Sequence, residues 1–209
     1  MTDTQIRDEI AAERRDLATV LAGLPDEAWD AATLCAGWRV REVAAHITMP
    51  FRYSAPRFLA GLAMAGGNFS TMADRSARRD AAQLSAAELT AALADNAAHP
   101  WKPPGGGYQG ALTHDVIHGL DITVPLGIGR TVPEKRLRMV LAGLATPRGL
   151  KFFGADLDGI ELRADDLDWT SGSGAPVHGA AQHLLLVLAG RRLPPGLLAG
   201  DPSARFTAA

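Results

Sequence analysis

The chain has 209 residues, 47% of them apolar, enough for one large domain or a main domain with a small appendage, and for a core that needs no covalent staples. Lysine and arginine (21) nearly balance aspartate and glutamate (23), giving a formal net charge of −2, and no basic block recommends a nucleic-acid or anionic-membrane partner. A single cysteine, Cys35, excludes an internal disulfide and fits a reducing cytoplasm.

The N-terminal stretch MTDTQIRDEIAAERRDL is charged throughout and lacks the apolar core of a signal peptide. The longest strongly apolar run, Leu184 to Ala189, is too short to cross a bilayer. A soluble cytoplasmic protein is therefore expected. Ile6, Ile10, Leu17, Val20, Leu21 and Leu24 recur at helical spacing and predict a first helix over Thr2 to Leu24, ended by Pro25 and Asp26. The segment AWDAATLCAGWRV reads as a connector, with Trp38 as a core anchor and Cys35 as a small buried apolar residue.

A second helix is predicted from Arg39 to about Ala65, with Val40, Val43, Ile47, Phe51, Phe58 and Leu62 on its apolar side. His46 lies on the flank of that side and shares a stripe with Met49, Pro50, Tyr53 and Arg57. Pro50 has no N–H for the His46 carbonyl, so a bend is expected beside the histidine. Tyr53 and Arg57 are candidate contacts to substrate on stripe geometry alone. After Gly66-Gly67-Asn68, the stretch from Phe69 to Ala82 carries Arg75, Arg78 and Arg79. It reads as a short exposed helix, its arginines either a solvated face or a wall over an anionic substrate. Ser85-x-x-Glu88 is a capping box opening another short helix. The run from His99 to Gly107 cannot continue a helix, and its Trp101, with the following Tyr108 and Gln109, stands where a site could be lined.

That loop delivers GALTHDVIHGLDITV, Gly110 to Val124. His114 and His118 are four residues apart, so on a helix both imidazoles leave one face. Asp121, three residues further on, shares their stripe and is a candidate orienter of a histidine. With His46 from an earlier helix, the three imidazoles suit a site between helices of a four-helix bundle. Three neutral imidazoles with a fourth position open match a catalytic zinc site better than a closed structural one, though nickel and iron also accept imidazoles. His99 reads as loop surface, His183 as the polar face of the last helix, and His178 shows no pairing.

Pro133 opens a further helix that Pro147 is expected to stop. Past Arg148 the periodicity changes from helical to alternating. Ile160, Leu162 and Ala164 alternate with Glu161, Arg163 and Asp165, LDWTSGSG supplies a second strand and turn, and Val177 marks a third. Residues Gly179 to Leu193 form an apolar helix, and the Pro- and Gly-rich tail from Pro194 is expected to be loosely held. The expected organisation is a helical bundle over 1–147 and a small α+β unit over 148–209.

Three stretches carry a resemblance: LCAGWRVREVAAHI (Leu34 to Ile47), LTHDVIHGLDI (Leu112 to Ile122) and LRADDLDWTSGSGAPVHGAAQHLLLVLAGR (Leu162 to Arg191). They resemble, in turn, the W-x-x-x-[DE]-x-x-x-H element, the paired-ligand helix and the C-terminal domain of the DinB-like superfamily. Within it they are similar to the mycothiol-dependent maleylpyruvate isomerase family. The resemblance implies a mainly α fold, a DinB-like four-helix bundle with a small C-terminal α+β unit that is shortened relative to the family's. It also implies His46, His114 and His118 as metal ligands. In the isomerase itself a glutamate stands at the place of His114. The all-histidine set is that of the wider superfamily and its thiol transferases. The implied activity is that of a metal-dependent S-transferase or isomerase using a low-molecular-weight thiol, mycothiol, on a small electrophilic organic substrate. A metal-dependent hydrolase on the same scaffold and a non-catalytic metal- or small-molecule-binding protein are the alternatives.

Overall fold

The computed structural model describes residues 2–208. The chain divides into two compact units, one ending at His118 and the other beginning at Gly119. The division falls inside a helix, well before the change of periodicity near residue 148.

The first unit is a helical bundle. Helix α1 (Asp3–Ala22) starts at a capping box in which Thr2 and Gln5 satisfy each other's backbone N–H groups. It buries Ile10, Leu17 and Leu21, together with Glu13 and Arg14. Helix α2 (Val40–Arg52) is buried over nearly its whole length, from Val40 through Met49. It packs against α4 (Phe69–Gln83) and α5 (Ala86–Asp95), and α5 packs against α1. The capping box expected at Ser85 and Glu88 opens α5.

The long second helix is in fact two. Chain after Arg52 turns extended at Tyr53 (φ −100°, ψ 129°) and Ser54 (φ −70°, ψ 156°), and α3 (Ala55–Met64) begins anew with the Ser54 hydroxyl accepting from the Arg57 N–H. The cause is Pro56. In a continuous helix its ring would meet the carbonyl four residues back, that of Arg52, and Arg52 is the last helical residue. Pro56 is instead tolerated in the first turn of α3. Pro50, by contrast, is carried inside α2, which continues to Arg52. Stripe geometry therefore does not connect Arg57 to His46.

Helix α4 also departs from expectation. It is no exposed appendage: Met72, Ala73, Ser76, Ala77, Asp80 and Ala81 are buried, while Arg75, Arg78 and Arg79 face outward. Alanine at every third or fourth place lets α4 approach α2 closely. Helix α6 (Gly107–Thr123) follows the glycine- and proline-rich loop and buries Leu112, Val116, Ile117 and Leu120.

In the second unit, α7 (Glu134–Leu144) packs against α9 (Ala181–Leu188), so it belongs with the α+β part and not with the bundle. Helix α7 ends at Leu144, before Pro147, and Pro147 itself opens α8 (Pro147–Phe153), capped by Thr146. Four strands, β1 (Ile160–Ala164), β2 (Thr170–Gly172), β3 (Ala175–Gly179) and β4 (Leu198–Ala199), form one sheet in the order β2-β1-β3-β4. β1 runs antiparallel to β2 and parallel to β3, with Leu162 opposite Val177. Ile160, Leu162 and Val177 are buried, and α9, whose Leu184 to Leu188 are all buried, packs on both strands. The change of direction between β2 and β3 needs glycine. At Gly174 (φ +134°) an added Cβ would stand 2.1 Å from the Gly159 carbonyl oxygen. The tail is not loose: β4 pairs with β3, residues Asp201–Phe206 form a 3₁₀ turn, and Leu193 donates its N–H to the Phe206 carbonyl.

Candidate metal centre

His114 and His118 stand one turn apart on α6, and the apolar side of that helix is buried, which fixes the direction both imidazoles take. His46 comes from α2, where buried neighbours from Val43 to Thr48 hold the backbone. The three rings meet. Their centroids lie 5.1 Å (His46–His114), 5.0 Å (His46–His118) and 4.6 Å (His114–His118) apart. Each offers a ring nitrogen within 4.8 Å of the other two. His46 Nε2 and His114 Nε2 are only 3.2 Å apart.

That approach has an electrostatic consequence. Asp115 Oδ1 lies 2.8 Å from His114 Nδ1. An ionised carboxylate only accepts, so Nδ1–H donates and Nε2 keeps its lone pair. This lone pair faces His46 Nε2, where it can accept an N–H from the other tautomer of His46 or, with a cation between the two rings, share in ligation. A nitrogen–nitrogen edge of about 3.3 Å is what tetrahedral ligation at ~2.0–2.1 Å requires. The three imidazoles together could hold a metal ion.

Asp115 is itself buried and held. Arg14 of α1, fully buried, places Nε 2.7 Å from Asp115 Oδ2. Its Nη1 donates to the carbonyls of His99 (2.8 Å) and Ala97 (3.3 Å), and its guanidinium lies 4.7 Å from the Phe51 ring centre. An arginine of the first helix thus anchors a carboxylate that orients a histidine of the sixth. Sequence reasoning missed both groups. Asp115 immediately follows His114, a spacing that does not put two side chains face to face on a helix. Arg14 has the appearance of an ordinary surface charge in a charged helix.

Aromatic rings and a thiol wall the cluster. The Trp38 ring lies 5.1 Å from His46 and the Trp101 ring 5.2 Å from His114. Trp38 is only partly buried, with its Nε1 donating to Asp74 at 2.7 Å; the core anchor of that connector is Trp29. Hydrogen bonds from Arg78 and then Trp38 hold the Asp74 carboxyl below its ordinary range. Cys35 is likewise not a buried filler: it is part-exposed, and its Sγ stands 3.7 Å from His118 Nδ1. Trp101 thus stands where the loop sequence suggests a lining residue, whereas Tyr108 takes the cations of Lys102 and Arg7 on its ring face.

The other singled-out residues have partners of their own. His99 is no free surface group. It is half-buried, its ring packs 5.2 Å from Phe51, and burial, then the Arg14 charge, lower its pKa. Asp121, fully buried, takes a two-point ion pair from Arg191, at 2.8 and 2.9 Å. This pair, and not a helix end, accounts for Arg191. Tyr53 and Arg57 both converge on Asp80 of α4.

Residues 10–102 match the family model described as the mycothiol maleylpyruvate isomerase N-terminal domain. The match to the maleylpyruvate isomerase N-terminal domain takes in His46 and ends before His114 and His118. Among solved structures, the chain is similar to the crystal structure of the mycothiol-dependent maleylpyruvate isomerase, with 15% identity and a TM-score of 0.62. It is similar too to a histidine-to-alanine mutant of that enzyme, with 14% identity and a TM-score of 0.58. Both alignments span 97% of this chain and 94% of the other, so both units have counterparts there and no large shortening of the C-terminal unit is seen. The fold is thus the DinB-like fold of the maleylpyruvate isomerase, mainly α with a small four-stranded sheet. No curated protein sequence matches the chain. Among the described residues, no helix is long and apolar enough to cross a membrane.

Proposed function

We propose that this protein is a metal-dependent enzyme that uses a low-molecular-weight thiol, mycothiol, to transfer sulfur to, or isomerise, a small electrophilic organic substrate. The observation that carries the reading is the convergence of His46, His114 and His118, with Nε2 atoms of two of them 3.2 Å apart. The family of the N-terminal domain, whose name specifies mycothiol, supports the thiol. His46, His114 and His118 would hold the ion, and a set of three imidazoles with a fourth position open suits zinc. Such an ion supplies a positive field that lowers the pKa of a thiol brought to it.

The chain's own residues do the rest. Asp115, fixed by Arg14, keeps the proton on His114 Nδ1 and so keeps Nε2 available as a ligand. Asp121, held by Arg191, would orient His118 in this reading. Trp38 and Trp101 limit water at the cluster and offer flat apolar faces to an organic substrate. The deciding experiment is a thiol-dependence assay on metal-loaded protein with small electrophiles such as cis-unsaturated keto acids. Turnover that requires both metal and mycothiol supports the reading; turnover of esters or amides without any thiol contradicts it.

A further inference from the structure

Between residues 52 and 80 there are five arginines (Arg52, Arg57, Arg75, Arg78 and Arg79) against two aspartates (Asp74 and Asp80), a local excess of positive charge in a chain whose net charge is −2. The fold concentrates three of those arginines on one buried carboxylate. Asp80 is 2% exposed. Its Oδ2 takes Arg52 Nη1 at 2.6 Å and the Tyr53 hydroxyl at 2.9 Å. Its Oδ1 takes Arg57 Nη2 and Arg79 Nε, each at 3.4 Å. Arg79 also donates to the Tyr53 hydroxyl. Arg52 is largely buried and further committed to Thr48 and the Ala45 carbonyl. Arg57 and Arg79 are not: their side chains are 47% and 43% exposed, and their contacts with Asp80 are long.

Two guanidiniums thus flank one carboxylate oxygen that cannot neutralise both, since Arg52 already claims the other oxygen. Arg78 takes Asp74, the remaining aspartate of the segment. Repulsion between like charges this close opposes the arrangement unless something offsets it. Tyr53 holds it together. The Arg57 guanidinium lies 3.9 Å from the Tyr53 ring centre, a stacking distance, and that of Arg79 lies 5.9 Å away. Stacking on a ring leaves the N–H edges of a guanidinium free for a planar, two-point acceptor.

We propose that Arg57 and Arg79, positioned over Tyr53 by the buried Asp80, form a binding site for an oxyanion: the carboxylate of a small organic acid or a phosphate group. The missing counter-charge is the ligand's. Arg52 and Asp80 are positioning residues, and Arg57 and Arg79 make the contact. The site needs none of the histidines, so it stands or falls apart from the metal centre.

The test is calorimetric titration of the full chain with inorganic phosphate and, separately, with malonate, at an ionic strength fixed by sodium chloride. Saturable binding of either anion at one site per chain is expected, with phosphate alone pointing to a phosphate ester and malonate alone to an organic acid. Arg57→Gln and Arg79→Gln should each weaken that binding at least tenfold. Both should melt within a few degrees of the native chain, because Arg52 and Tyr53 still satisfy Asp80. Arg57→Lys, which keeps the charge but loses the planar stack, should fall between. His46→Ala and Arg138→Gln should bind as the native chain does. No saturable binding of either anion above the chloride background, or native-like binding by both glutamine variants, would overturn the proposal.

Discussion

At the scale of single residues, the Arg14–Asp115–His114 chain makes the sharpest predictions. Asp115→Ala strands a fully buried arginine, which costs about 3–5 kcal/mol, and removes the group that fixes the His114 tautomer. Metal affinity should fall roughly 10–100-fold. Stability and affinity can then be separated. Arg14→Met combined with Asp115→Leu removes both charges and should regain most of the stability in a chemical denaturation series, as apolar replacements of buried ion pairs do. Its metal affinity should stay low. If affinity recovers along with stability, Asp115 is structural only.

Two histidines outside the cluster predict a pH effect. Burial lowers the pKa of His183, and burial followed by the Arg14 charge lowers that of His99. A histidine whose folded pKa lies below its unfolded value binds more protons when unfolded. Folding stability should therefore be full above about pH 6.5 and fall as the pH drops below it. His183→Gln should flatten that fall in melts recorded from pH 7.5 to 5. An unchanged slope would assign the acid sensitivity to other groups.

Among the elements, the sequence was most legible where one rule acts locally. The four-residue spacing of His114 and His118 identified both their helix and their common face, and the Ser85–Glu88 box marked the start of α5. Legibility ended where a distant partner decides. Asp115 becomes a site residue only because Arg14, 101 positions away, fixes it. The α2–α3 break follows from Pro56 acting on Arg52, four residues back, while the more conspicuous Pro50 lies inside α2. The tail beyond Pro194 reads as unstructured because its order comes from pairing with β3. Gly174 tests the sheet directly. Alanine there meets the Gly159 carbonyl in a backbone conformation that L side chains rarely adopt. Gly174→Ala should cost on the order of 2–4 kcal/mol, read as a fall of roughly 5–15 °C in Tm. An unshifted melt would show that the β2–β3 connection relaxes freely.

For the molecule as a whole, the fold is that of the solved isomerase, residues 10–102 match a maleylpyruvate isomerase N-terminal domain model, and the chemistry turns on whether three histidines hold an ion. Their convergence draws on both α2 and α6, and the domain family's match ends between those helices. The likeness to the solved isomerase, at 15% identity, carries the fold and leaves the ligand set to this chain's own residues. The most direct measurement is elemental analysis of the protein purified without added metal, followed by titration of the chelator-treated protein with zinc. About one divalent ion per chain is expected, lost on replacing His46, His114 or His118 by alanine and kept on replacing His178 or His183. A native chain that carries no divalent metal and takes up no zinc on titration, or three alanine variants that bind zinc as well as the native chain, would contradict it.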